Sequence, residues 1–355
     1  MGKQVKTPRF YVDMPTFLHA TGQLGWDATS KGGAELLYMN CANPFLELEE
    51  STDPQVKFIL GSTVNNPIKS SFPINFCALL NHNLGTDYTY SNNFKVIGKG
   101  GYGEGFEKDL TESTANVINY YPNPYYNGTS IFTFNEENDY FNSFSLSYLA
   151  DNYDDYTHQL GSFVIGKYFD APNSPDLNLT MSRRFDGIKS QKTIGGKTLS
   201  NIYYDGPTEW TMNGPNGTYK YPPFELDYPT IATDEQLGYF KPKSGLGRKG
   251  LRSWKLSFSY IAENDIWMEN EVSNNVIADN VDPDETKPSP MLSDNSFNFV
   301  WNCTLGGTLP FIFTDDKESN EPDRYAICTF RENTFSVQQQ AHNVYKVSMT
   351  IDELA

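Results

Sequence analysis

The stretch "INFCALLNHNLGT", residues 74–86, runs Phe76, Cys77, Ala78, Leu79 and Leu80 together and then breaks at Asn81, His82, Asn83 and Gly85. An apolar run this short, closed by turn formers, reads as a strand that ends in a turn. Asn side chains beside an imidazole bond the local backbone and finish such a strand. His82 therefore reads as a residue placed by the fold, with ligand binding as the competing role.

The same rhythm extends outward. "RFYVDM", "VKFILGS", "NFKVIG", "SIFTFN", "FNSFSLSYLA" and "GSFVIGKYF" are short apolar or alternating runs split by Asn, Gly, Pro and Asp clusters. "AELLYM" and "FNFVWNCTL" read as strands too, as do "RSWKLSFSYIA", "LPFIFTDD", "RYAICTF", "FSVQQ" and "VYKVSMTIDEL". In the last of these Val347, Met349 and Ile351 share one face, as a period of two requires. Two helices are expected. One is a short turn in "TFLHATGQLGW" ended by Gly22; the other is "DLTESTANVINYY", with Asp109 or Thr111 as N-cap. The 355 residues and 15% aromatic content suit an all-β protein of two bodies. We expect an extended arm over residues 1–30, a β-sandwich over 31–175 and a second β-barrel or sandwich module over 176–355. The arm can cross over to the second body.

The net charge of −17 argues against duplex DNA and against anionic membranes. No apolar run approaches the roughly 20 residues of a membrane span. The opening "MGKQVKTPRF" lacks both an apolar signal core and a Ser or Thr at the sixth position, so neither secretion nor myristoylation is expected. Cys41, Cys77, Cys303 and Cys328 form no C-x-x-C pair and read as buried small hydrophobes. The sequons at Asn127, Asn178, Asn216 and Asn302 are what chance yields in an Asn- and Thr-rich chain.

No catalytic motif stands out. "GKGGYG", Gly98–Gly103, fits G-x-G-x-x-G, but a dinucleotide site needs an apolar helix directly after it. "EGFEKDL" supplies none, so a glycine-rich loop between strands is expected. The carboxylate pairs Glu49/Glu50, Glu136/Glu137, Asp154/Asp155 and Asp315/Asp316 read as solvated loop residues rather than a glycosidase pair facing across a cleft. "DNSFNF" and "DNYDDY" are incomplete as calcium loops. His19, His82, His158 and His342 are scattered, and no metal or other cofactor is expected.

The turn "HNLG" resembles one found in tailed-phage tail proteins that carry a discoidin-like, or galactose-binding-like, jelly roll. Other segments extend the resemblance in chain order. "LGSFVIGKYFDAPNSPDL" resembles the closing jelly-roll strand, and "SRRFDGIKSQKTIGGKTLSNIYYDGPTEW" the segment after it. "RSWKLSFSYI" resembles the Trp-containing strand of these proteins, "LPFIFTDDKESNEPDRYAICTF" with "VYKVSMTIDEL" their C-terminal module, and "TPRFYVDMPTFLHATG" an N-terminal arm of marine-phage relatives. The resemblance implies a jelly-roll sandwich and a non-enzymatic structural component of a virion. Such a component sits in the tail, baseplate or fibre connection, in several copies that contact one another and other virion proteins.

Tyr120, Tyr121, Tyr125, Tyr126 and Trp210 lie in turn-rich "INYYPNPYYNG" and "NIYYDGPTEW". They are candidate contact residues, because Tyr and Trp bury much area with few rotamers to freeze. Host-surface glycan is the alternative partner for the same rings. Covering the ends of the sandwich is the third reading.

Overall fold

The computed structural model describes residues 5–26, 33–39, 46–48, 56–60, 70–82, 94–99, 107–109, 114–118, 128–134, 140–141, 143–148, 158–184, 188–202, 250–268, 287–288, 294–319 and 324–354. In its first half the strands are β1 (Arg9–Asp13), β2 (Leu24–Trp26), β3 (Leu46–Leu48), β4 (Val56–Leu60), β5 (Ser70–Pro73), β6 (Phe76–His82), β7 (Phe94–Lys99), β8 (Glu107–Asp109), β9 (Thr114–Ile118), β10 (Gly128–Phe134), β11 (Tyr140–Phe141) and β12 (Ser143–Tyr148). After them come β13 (His158–Leu160), β14 (Ser162–Asp170), β15 (Thr180–Arg184), β16 (Ile188–Lys192), β17 (Thr198–Ile202), β18 (Leu251–Ile261), β19 (Lys287–Pro288), β20 (Phe311–Thr314), β21 (Tyr325–Phe330), β22 (Ser336–Ala341) and β23 (Val344–Glu353). Among the described residues two short α-helices accompany them, α1 (Met14–Ala20) and α2 (Phe297–Cys303). The fold is all-β, and among the described residues only β5 with β19 pairs in parallel.

An 11-stranded sheet dominates, in the order β15-β18-β23-β21-β20-β1-β14-β6-β10-β9, with β22 also on β23. Its centre joins the two ends of the chain. β1 pairs β14 on one side, Phe10 opposite Phe169, and β20 on the other, Phe10 opposite Phe313. A second sheet runs β2-β4-β12-β7-β8. Its Val56, Val96, Phe144 and Leu146 share one apolar cluster with Cys77, Leu79, Phe163 and Ile165 of the large sheet. That shared core makes a β-sandwich. The opposite face of the large sheet carries a second cluster that includes Tyr11, Phe76, Ala78, Leu80 and Ile312. Burial of both faces explains why β6 reads as a continuous apolar run rather than an alternation.

The core cluster does not stop at the chain's midpoint. It continues through Trp254, Leu256, Phe258, Phe311 and Phe313 to Val347, Met349 and Ile351. Residues 175 and 176, where we expected one body to give way to the next, lie between β14 and β15, both strands of the large sheet. Phe10 is fully buried, and the rings of Phe169, Phe297, Phe311, Phe313 and Phe330 surround it at centroid distances of 5.4–6.3 Å. Gly166 makes the close pairing of β1 and β14 possible, because a Cβ there would sit 2.1 Å from the Val12 carbonyl oxygen.

Three local expectations are corrected. "FNFVWNC" is α2, not a strand. Phe297, Phe299 and Trp301 imitate a period of two, but Ser296 caps the segment by accepting from the Phe299 N–H at 3.1 Å. The helix is buried on most sides, so its aromatic positions carry no amphipathic signature. Residues 114–118 are β9, not a helix; Val117 and Ile118 pair with Phe132 and Ile131 of β10, and pairing outweighs local propensity. Ala34–Leu36 of "AELLYM" is a 3-10 turn, followed by Tyr38 and Met39 at φ 63° and 50°. α1 follows the expectation: Asp13 caps it and Gly22 lies beyond its end at φ 73°.

Candidate functional site

His82 is the last residue of β6 and stands opposite Gly128 of β10, where the pairing register shifts. Its side chain lies outside what is described, and so do Tyr120, Tyr121, Tyr125, Tyr126 and Trp210. The glycine motif that begins at Gly98 has a different setting from a phosphate loop. β7 runs through Gly98 and Lys99, and the next described element is β8, antiparallel to it with Ile97 opposite Asp109. A dinucleotide site needs a parallel strand-helix-strand unit. Packing accounts for Gly98 itself, since a Cβ there would lie 2.4 Å from the Phe141 ring.

Charge is concentrated around the joint made by β1. The Arg9 guanidinium grips Asp170 at 2.5 and 3.0 Å, and its carbon lies 3.8 Å from the Tyr168 ring centroid. Burial opposes the charge on Arg9, but the Asp170 bonds hold its pKa above the usual arginine range. Lys317 reaches the same carboxylate at 3.4 Å. One strand over, Arg324 bonds Asp315 at 2.9 Å and lies 3.6 Å from Asp316, which Lys6 also meets at 3.0 Å. Asp315 and Asp316 are 4% and 2% exposed, which corrects their reading as solvated loop residues; the other three carboxylate pairs lie outside the described residues. Burial raises the Asp315 pKa against the pull of Arg324. Arg252 takes Glu353 in a fork at 3.0 and 2.6 Å and donates to the Tyr325 carbonyl at 2.5 Å. The ties of Arg9, Lys317 and Arg252 run between residues 73 to 161 apart, and Lys6 to Asp316 farther still, whereas Arg324 and Asp315 are 9 residues apart. Nothing local in the sequence announced them beyond a charge set inside an apolar strand, as at Arg9, Arg252 and Glu353.

Such forks are strong, because each joins two ionised groups through hydrogen bonds. Their chemistry is cohesion: the guanidinium and carboxylate groups hold each other. Cys77, Cys303 and Cys328 are buried, and burial pushes their thiols up, away from nucleophilic thiolate. This fits the expectation of small buried hydrophobes; Cys41 lies outside the described residues. Among the described residues no three His, Cys, Asp or Glu converge on a metal-sized point. No helix there is long and apolar enough to cross a membrane.

A polar groove of about 820 Å³ lies on the outer face of β18 and β23. Lys255 and Ser257 project from β18, Lys346 and Ser348 from β23, and Leu256 and Met349 back the floor. The two serine hydroxyls are 3.2 Å apart, and Glu332 at the rim is held by the backbone and hydroxyl of Thr350 at 3.1 and 2.9 Å. Hydroxyls, amides and ammonium groups in this arrangement can donate to and accept from a hydroxylated ligand. Comparison with known protein families, curated proteins and solved structures finds no match to this chain.

Proposed function

We propose that this chain is a structural component of a tailed-phage virion, in the tail, the baseplate or a fibre connection. It assembles in several copies with itself and with other virion proteins. In this reading the β-body over residues 31–175 is a galactose-binding-like jelly roll that serves as scaffold, without enzymatic activity. The ordered series of sequence resemblances suggests the virion. The structural observation that supports a scaffold is the joint at β1, where strands from both ends of the chain are zipped into one sheet and Arg9 ties β1 to Asp170 of β14. Cryo-electron microscopy and mass spectrometry of purified particles test the proposal. It requires the chain at stoichiometric copy number in the particle; an infected-cell extract rich in the chain beside particles that lack it refutes the proposal.

The groove on β18 and β23 favours a second reading, a glycan-binding module for the host surface. Its hydroxyl and amide lining suits sugar hydroxyls. A glycan array spanning host polysaccharides separates the two readings: signal abolished by Ser257→Trp supports the second, and silence across the array supports the first.

A further inference from the structure

The hairpin formed by β16 and β17 combines three features. Among the described residues its two strands pair only with each other, as β3 and β13 also do, with Ile188 opposite Ile202 and Lys192 opposite Thr198. A lone two-stranded ribbon is marginal in water and gains from a covering surface. Its tip stands clear: Cβ atoms built on Gly195 and Gly196 meet no atom within 4 Å. The turn is nevertheless well formed. Thr193 N–H donates to the Lys197 carbonyl at 2.8 Å, Lys197 N–H donates to Thr193 Oγ1 at 3.1 Å, and Gly196 takes φ 80°.

The hairpin also exposes apolar side chains. Seven large hydrophobic residues are exposed among the described residues, and Ile194 and Leu199 of the hairpin are two of them. Ile194 at the tip is fully exposed and Leu199 is 61% exposed. The charge of the segment is also opposite to that of the chain. Residues 188–202 hold Lys189, Lys192 and Lys197 and no acid. That local charge of +3 sits in a chain of −17, so the remainder carries −20.

We propose that this hairpin is an assembly arm that docks onto the acidic body of a second copy of the chain. Hairpin-on-hairpin contact would bring like charges together, whereas hairpin-on-body contact is complementary. The two surfaces differ, so the contact is head-to-tail and generates a ring or a filament rather than a two-fold dimer. Ile194 and Leu199 supply the apolar anchor, and Lys192 and Lys197 steer it. The inference rests on the multi-copy reading above and specifies the surface responsible.

Sedimentation velocity of the full chain tests it, at about 0.05 M and about 0.5 M salt, where the screening length falls severalfold. The comparison variants are Ile194→Asp with Lys192→Glu and Lys197→Glu, and Gln338→Glu with Gln340→Glu, which adds negative charge on the exposed strand β22. Expected results are an oligomer for the wild type that loosens with salt, an unchanged oligomer for the β22 variant, and self-association at least about tenfold weaker for the triple variant. Circular dichroism should remain that of the wild type, because the changed side chains touch no core. A wild-type chain that stays monomeric at about 0.1 mM overturns the proposal, as does a triple variant that assembles normally. So does a wild-type chain that assembles only on added heparin, a soluble polyanion, since the arm would then serve an anionic partner. Failure here with the chain present in purified particles leaves the virion reading standing. Absence from particles removes that reading whatever the sedimentation shows.

Discussion

β1 and the β16–β17 hairpin are both short ribbons that carry strong charges, yet they put those charges to opposite use. In β1, Arg9 is forked onto Asp170 and roofed by Tyr168, Phe10 sits among five rings, and the strand has a partner on each side. In the hairpin, Lys192 and Lys197 are exposed and Ile194 faces solvent. A buried charge must be paired where it lies, so it ties the fold together; an exposed one beside an apolar tip remains available to another surface. Burial, not residue type, separates cohesion from recognition in this molecule.

The largest expected effect attacks the joint. Phe10→Ala should lower unfolding stability by about 3–5 kcal/mol, the usual cost of deleting a buried aromatic ring. Ile194→Ala should change it by less than about 0.5 kcal/mol. Urea denaturation of both variants reads the contrast, and equal losses would erase it. Next comes Arg252, 11% exposed and locked to Glu353. Arg252→Met strands a buried carboxylate and should cost about 3–5 kcal/mol, whereas Arg252→Met with Glu353→Leu should recover most of that. A double variant no better than the single one would show that the pair does more than neutralise itself.

Asp13 gives a pH signature. It is buried at the junction of β1 and α1, and burial raises its pKa to about 7 although it accepts from the Thr16 N–H and hydroxyl. The unfolded chain releases this proton near pH 4, so between about pH 4 and 7 the folded state binds more protons. Stability therefore falls as pH rises through that window, and the full penalty holds above pH 7. Asp13→Asn should remove about 2–3 kcal/mol of the stability difference between pH 5 and pH 8. Parallel slopes for wild type and variant would reject this. The smallest effect belongs to Arg331, which pairs with Asp352 at 2.7 Å but is 55% exposed. Arg331→Ala should cost less than about 1 kcal/mol, and salt should erase even that.

Much of the sheet was legible in the sequence, because β1, β6, β10, β14, β18 and β20 to β23 are apolar or alternating runs bounded by turn residues. Their order was not, since nothing local announces that residue 10 lies between residues 169 and 313. α2 escaped because aromatics at 297, 299 and 301 mimic a strand while its cap rests on Ser296 alone. Asp315 and Asp316 looked like a solvated pair because only the pairing of β20 with β21 brings Arg324, just before β21, back beside them. The groove was half visible: the alternation in β18 and β23 marks an outward face, but only pairing brings Ser257 to Ser348. The Tyr and Trp candidates lie outside the described residues.

Native-state hydrogen exchange of the full chain, read by mass spectrometry at a dilution that favours single copies, tests most directly whether β1 welds the molecule. Amides of β1, β14, β20 and β21 should open together, at the free energy of global unfolding, while those of β16 and β17 exchange orders of magnitude faster. A β1 that opens by itself, leaving β14 and β20 protected, would contradict a single sheet built through the chain's first strand.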